Sequence, residues 1–401
     1  MIFLQRYAEL FRIPGMAAAV SASVVGRIPI GMAGLSILLF VQGKSGSFAQ
    51  AGTVSALYVL GLAVVAPFLG RLIDRTGPRA VLTLCSTLYP LALLVLVALV
   101  SNAAHPLWVA GCAFVAGAAL PPITICMRTL YPRLLNDVGL LQTAYSIDSV
   151  LIETIFILGP ALVAVFVAVG YTAGAVVLAA ACAAVGGAIF VRSPTVRGWT
   201  VHVAKVPRAS FGLLRYPKLL AVFAATFLYS VTFGLFEVGV TAFAANQGVP
   251  SAAGVALALA SVGSAAGALI YGSRTWPLPL PRQFLASLTL MALGVLLVAP
   301  VTNIYLFALV SLVAGAPMAT VIATQAMLLS GLAPRHMLAE SFTWGATCLL
   351  GGISAGTAAG GMLAEHLAPP WVIVAAAGAT LFAAILVWIS LSRAPIVGTK
   401  G

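Results

Sequence analysis

Acidic residues are scarce in this chain: eight in 401, against twenty lysines and arginines. Charged residues of both signs together make up only 7%, too little to cover the surface of a soluble domain of this size. Cysteine is also sparse. The five (Cys85, Cys112, Cys126, Cys182, Cys348) fall inside apolar runs with no Cys-x-x-Cys pair and no His/Cys cluster, so neither a disulfide framework nor a metal site is expected. The four histidines sit in predicted loops or at helix ends, and no Gly-x-x-x-x-Gly-Lys segment is present to cradle the phosphates of ATP. No His, Cys and carboxylate set has catalytic spacing, so an enzyme is not expected, and no cofactor is implied.

Apolar sequence is abundant. Hydrophobic residues are 62% of the chain and the mean hydropathy is +1.13, which places it among all-α polytopic membrane proteins. Twelve runs reach the roughly 20 residues a spanning helix needs: 16–41, 51–69, 80–100, 107–130, 140–168 and 173–191, then 219–245, 252–273, 284–301, 304–330, 339–363 and 371–392. Residues 1–15 read as an interfacial helix, with Phe3, Leu4, Tyr7, Leu10 and Phe11 on one side and Arg6, Glu9 and Arg12 on the other. A cleaved signal is the competing reading; Arg27 inside the first run and the many spans after it favour a retained segment. The expected organisation is a first six-helix half over 16–191, a central loop over 192–218, a second half over 219–392 and a tail over 393–401.

Alternating the loops between two sides leaves Lys44 on one and Arg27 within a span; the other eighteen of the twenty basic residues fall on the opposite side. Such an imbalance is the positive-inside pattern. The expectation is a multi-pass protein of a bacterial cytoplasmic membrane with both termini and the central loop cytoplasmic. The net charge of +12 is then a topology signal, and no nucleic-acid partner is expected.

The halves repeat. Gly52, Gly61 and Gly70 precede Gly254, Gly263 and Gly272 by 202 positions, and Ala144-Tyr145-Ser146 precedes Ser341-Phe342-Thr343 by 197. The most charged turn follows the second run: Gly70-Arg71-Leu72-Ile73-Asp74-Arg75-Thr76-Gly77-Pro78-Arg79. Its spacing resembles the signature loop of the major facilitator superfamily, G-x-L-x-D-R-x-G-x-R, at every fixed position. Its counterpart, Gly272-Ser273-Arg274-Thr275-Trp276-Pro277, lacks the acid. The resemblance implies two pseudo-symmetric six-helix halves around a central substrate cavity. It also implies a cytoplasmic gate in which Asp74 approaches the start of the eleventh helix, aided by Gly70, Arg75, Gly77 and Arg79, with Glu340 engaging Arg71 or Arg75. The fifth helix carries Gly159-Pro160, similar to the antiporter branch, but Ala161-Leu162 follow it and Ala113 stands where that branch has a fourth-helix Arg.

Ionisable residues inside a bilayer are costly, at least about 2.5–3.5 kcal/mol each, and are functional candidates. Four qualify: Arg27, Asp148, Glu153 and Glu237. At 1.5 Å per residue, Arg27 lies roughly 17 Å from the cytoplasmic end, Asp148 about 12 Å, Glu153 about 20 Å and Glu237 about 27 Å. In the fold this resembles, the first and fifth helices are neighbours, so the expected pair is Arg27 with Glu153. Asp148 is expected to meet Arg128. Glu237 is read either as a proton site facing water or as a buried neutral acid bonded to Tyr229 or Thr241. The resemblance makes Thr124, Tyr229, Thr324 and Gln325 candidate cavity contacts. Pro121-Pro122 and Gly315-Ala316-Pro317 put a break at corresponding points of the two halves.

The resulting expectation is a monomeric secondary active transporter, embedded in membrane lipids, that exports a small organic molecule by proton-coupled alternating access. Proton-coupled uptake of a small metabolite is the alternative. A lipid translocator and a channel or receptor stand further off.

Overall fold

A computed structural model describes residues 2–199, 212–249 and 252–392. An amino-terminal helix, Ile2–Arg12, leads into twelve helices long and apolar enough to cross a membrane. These are α1 (Met16–Ser45), α2 (Phe48–Thr76), α3 (Pro78–Ser101), α4 (Pro106–Leu134), α5 (Val138–Ala168), α6 (Thr172–Arg192), α7 (Pro217–Asn246), α8 (Ala252–Gly272), α9 (Leu280–Val298), α10 (Ile304–Leu332), α11 (Leu338–His366) and α12 (Pro369–Val387). Residues 200–211 of the predicted central loop and the whole tail lie outside the described residues.

Local sequence explains the ends. Ser47, Asp137 and Asn303 cap α2, α5 and α10 by accepting from backbone amides of the first turn, and Pro78, Pro217 and Pro369 sit where a helix's first residues lack an amide partner in any case. α1 runs past its predicted end at 41 to take Lys44 into its last turn, where a cation suits the helix dipole. Gly77 alone separates α2 from α3; its φ of 85° is one that only glycine adopts readily. The breaks expected at the prolines are present: α4 consists of Pro106–Ala118 and Ile123–Leu134, and α10 of Ile304–Gly315 and Met318–Leu332.

The repeat read from the glycines extends to the packing. A Cβ on Gly117 of α4 would strike the Tyr58 carbonyl of α2; a Cβ on Gly315 of α10 would strike the Ala260 carbonyl of α8, and Tyr58 and Ala260 are 202 positions apart. Helix backbones therefore touch at equivalent places in both halves. The same holds for α5 and α11. Beyond Glu153, α5 buries only Ile155, Gly159 and Val163; beyond Thr347, α11 buries only Gly352, Gly356 and Gly360, each 197 positions on. The first stripe packs on α1, where Gly159 meets Gly31, and the second on α7. The rest of those segments faces outward, with Phe156, Leu158, Val165 and Met362 exposed.

The two halves meet along α2 with α11, α5 with α8 and α10, and α4 with α11. Among the described residues, the hydrogen bonds that join them lie between the end bearing the amino-terminal helix, here the basic end, and the level of Glu153 and Thr347. The halves are thus bonded together at the basic end, and among the described residues no hydrogen bond joins them beyond that level.

Candidate functional site

Arg27, on α1, is a charge with no exposed surface. Its Nη1 donates to Oδ1 of the equally buried Asp148 at 2.6 Å, and Nε of Arg128, on the second segment of α4, donates to Oδ2 at 2.6 Å. Asp148 thus bridges two arginines. The expected Arg27–Glu153 pair is not formed, because side chains on a helix lean toward its N-terminus. From α1, which begins at the basic end, the long Arg27 side chain reaches about one turn (~5.4 Å) back, to the level of Asp148, while Glu153 lies some 140° around α5. Removing one member of such a buried set leaves an uncompensated charge, a loss of about 3–5 kcal/mol.

Glu153 faces the other half. Its Oε1 accepts from Ser264 Oγ of α8 at 2.8 Å, and the same Ser264 oxygen accepts from the Ala319 amide at 2.9 Å, two residues past Pro317 in the break of α10. Among the described residues no cation pairs with Glu153. Of the two readings of Glu237 the buried acid is not found: it is exposed, Thr241 donates to its backbone carbonyl, and the Tyr229 hydroxyl donates instead to Oε1 of Gln325, at 2.6 Å. Tyr229 and Gln325, both predicted cavity residues, are therefore joined, bridging α7 and α10. Thr324 donates into its own helix, and the Thr124 hydroxyl is buried without a partner among the described residues.

At the basic end, Asp74 of α2 lies against the start of α11. Its Oδ1 accepts from the Ala339 amide at 3.1 Å and its Oδ2 from the Glu340 amide at 2.9 Å. No side chain of α11's own caps that terminus, so Asp74 does the work of an N-cap from another helix. The approach requires Gly70, where a Cβ would come within 2.9 Å of the Ala339 carbonyl. Of the two arginines expected to engage Glu340, Arg71 does, at 2.6 Å; Arg75 and Arg79 are exposed.

The opposite corner is built with reversed polarity. The Gln142 amide of α5 donates to the carbonyls of Tyr271 and Arg274, at 2.5 and 2.9 Å, and Thr143 donates to that of Gly272 at 2.7 Å. All three are at or just past the C-terminus of α8. Tyr7 of the amino-terminal helix adds a bond to the Leu269 carbonyl at 2.6 Å; burial pushes its phenol up to about 12, so it stays a donor at neutral pH. Gln142 and Thr143 stand 197 positions before Ala339 and Glu340, and Trp276, stacked on Tyr271, stands 202 after Asp74. Sequence reasoning did not single out Gln142, Thr143 or Ser264. The 197-residue offset, carried two residues back from Ala144, would have found the first two; Ser264 carries no such signal.

The model of the Major Facilitator Superfamily matches residues 19–277. An uncharacterised MFS-type transporter of Sinorhizobium fredii, y4rN, is 26% identical over 281 residues, 66% of this chain and 68% of that protein. Among solved structures, a bacterial homologue of the iron transporter ferroportin in an outward-facing state has a TM-score of 0.78 at 14% identity, covering 94% of this chain and 99% of its own. The E. coli fucose:proton symporter FucP, in a single-substitution form, has a TM-score of 0.72 at 13% identity, covering 93% and 98%.

Proposed function

From a chain that belongs to the Major Facilitator Superfamily, we propose a secondary active transporter that exports a small organic molecule in exchange for protons by alternating access. The positive-inside pattern makes the basic end, with both termini, cytoplasmic, in a bacterial inner membrane. The conformation described is then the outward-open one, sealed below by the Asp74 and Gln142 corners.

The observation that carries proton coupling is the setting of Glu153. It is a carboxylate on the seam between the halves, bonded to a hydroxyl and not to a cation. An arginine partner would hold it ionised; Ser264 does not. When Glu153 is ionised, its bond from Ser264 ties α5 to α8 and, through the Ala319 amide, to the break in α10. A proton arriving from the open side removes the charge, and the seam is free to shift as the outer side closes. Release of that proton to the cytoplasm resets it. Asp148, clamped by two arginines, stays ionised and serves as structure.

The test is transport in proteoliposomes of solutes first found by thermal stabilisation of the purified protein. Glu153→Gln is expected to abolish accumulation driven by a pH gradient and to spare exchange of solute for solute. Undiminished gradient-driven transport by that variant contradicts the reading. The fucose:proton symporter similar in fold supports the alternative direction, uptake with protons; the sign of solute movement under an inward proton gradient separates the two.

A further inference from the structure

We infer that the transported solute is an organic anion carrying a single negative charge, a small carboxylate, and that Arg128 is its counter-ion. The inference rests on the transporter reading but not on its direction or its proton coupling. It starts from a charge count: two guanidinium groups, Arg27 and Arg128, share one carboxylate, Asp148, so the set carries one net positive charge. The other seven acids do not offset it. Glu9 and Asp137 belong to the basic end; Asp74 is on the α11 amides, Glu340 on Arg71 and Glu153 on Ser264. Glu237 and Glu365 are exposed.

The unmet hydrogen bonding has the same sign. Nε and Nη2 of Arg27 are buried donors without partners among the described residues, and the hydroxyls of Thr124 and Tyr131, which can donate to the same acceptor, are buried without partners as well. Thr124, Arg128 and Tyr131 follow one another at i, i+4 and i+7, on one face of α4. The arginine nitrogens can only donate, and the hydroxyls can turn their protons to the same acceptor. A cation or a neutral donor would add to the surplus; a carboxylate supplies both the charge and the lone pairs.

Arg128 is the member placed to receive it. Its side chain keeps 14% of its surface exposed where Arg27 and Asp148 keep none, and the α4 segment that bears it packs against the second segment of α10 in the other half. Among the described residues only Nε is engaged, by Asp148. That bond fixes the plane of the guanidinium and leaves the two terminal nitrogens side by side, the fork that binds a carboxylate through two parallel hydrogen bonds. The solute therefore docks without displacing Asp148, which remains on Arg27. Tyr229 and Gln325 close the site from the second half and sense its occupancy.

The test uses the full-length protein in lipid nanodiscs and matched probes: benzoate against benzamide and benzylamine, and lactate against lactamide, read as thermal stabilisation. The carboxylates are expected to stabilise and their amides and amine not to. Arg128→Gln leaves Arg27 and Asp148 as a neutral pair and is expected to weaken the carboxylate response at least 10-fold. Arg128→Lys keeps the charge but loses the fork and should fall between. Asp148→Asn raises the net charge of the set and is expected to tighten carboxylate binding, an effect a purely structural role would not produce. Stabilisation by amides or amines as strong as by carboxylates overturns the inference, as does a carboxylate response unchanged in Arg128→Gln. So does stabilisation by none of the carboxylates. Carboxylate binding with no flux in liposomes would leave the anion site standing and defeat the transporter reading; flux of a neutral or cationic solute through a protein indifferent to carboxylates would do the reverse.

Discussion

The two corners that close the basic end occupy equivalent places in the repeat and use opposite chemistry. Between α2 and α11 an acid, Asp74, accepts from two amides at a helix N-terminus. Between α8 and α5 a neutral amide and a hydroxyl, Gln142 and Thr143, donate to carbonyls at a helix C-terminus. The steric part of the contact is conserved between them: Gly70 lies against Thr343 as Gly272 lies against Ser146, and Ser146 precedes Thr343 by 197 positions. The difference is electrostatic. Hydrogen bonds to a charged group contribute about 1.5–3 kcal/mol against about 0.5–1.5 for neutral ones, and a carboxylate at a helix N-terminus gains a further ~0.3–1 kcal/mol from the dipole. The first corner is the stronger latch, and the second holds by number: three neutral bonds and the Tyr7 phenol.

Substitutions that separate steric from electrostatic contributions sharpen this contrast. Each can be read as the fraction of molecules open at the basic end, from the distance between spin labels at Arg79 and Gly331, both exposed, in a background without the five native cysteines. Gly70→Val should have the largest effect: its side chain would collide with Thr343 and the Ala339 carbonyl, and the closed distance should be nearly lost. Asp74→Asn keeps one acceptor but loses the charge; a shift of about 2 kcal/mol toward the open state is expected, roughly 30-fold in the ratio. Gln142→Ala removes two neutral bonds and should shift the ratio by about 1–2 kcal/mol. Glu340→Gln, whose partner Arg71 is partly exposed, should shift it by less than about 1 kcal/mol. An effect of Gln142→Ala larger than that of Asp74→Asn would reverse the ranking of the two corners.

Much of this was legible beforehand where a residue type or spacing forces one outcome. Twelve apolar runs had to become twelve helices, Pro121-Pro122 and Gly315-Ala316-Pro317 had to interrupt α4 and α10, and the glycine offsets located backbone contacts. Asp74 and Gly70 were readable because a charged turn with fixed glycines admits few geometries. What escaped depended on direction. Depth along a helix placed Arg27 beside Glu153, but the lean and length of the arginine side chain decide for Asp148. The loop after α8 shows only that its acid is missing, whereas the bond there has passed to the partner helix, onto Gln142 and Thr143. Glu153 was identifiable as a membrane acid; that its partner is a serine in the other half is a product of the assembled seam.

The reversal of polarity is the claim most open to a single measurement. Gln142→Glu is nearly isosteric and puts back an acid in the half that lacks one. Facing the carbonyls of Tyr271 and Arg274, a carboxylate has nothing to accept from, and the spin-label distance should move to the open value in most molecules, further than with Gln142→Ala. A distance that stays closed, or closes more tightly, would contradict the account.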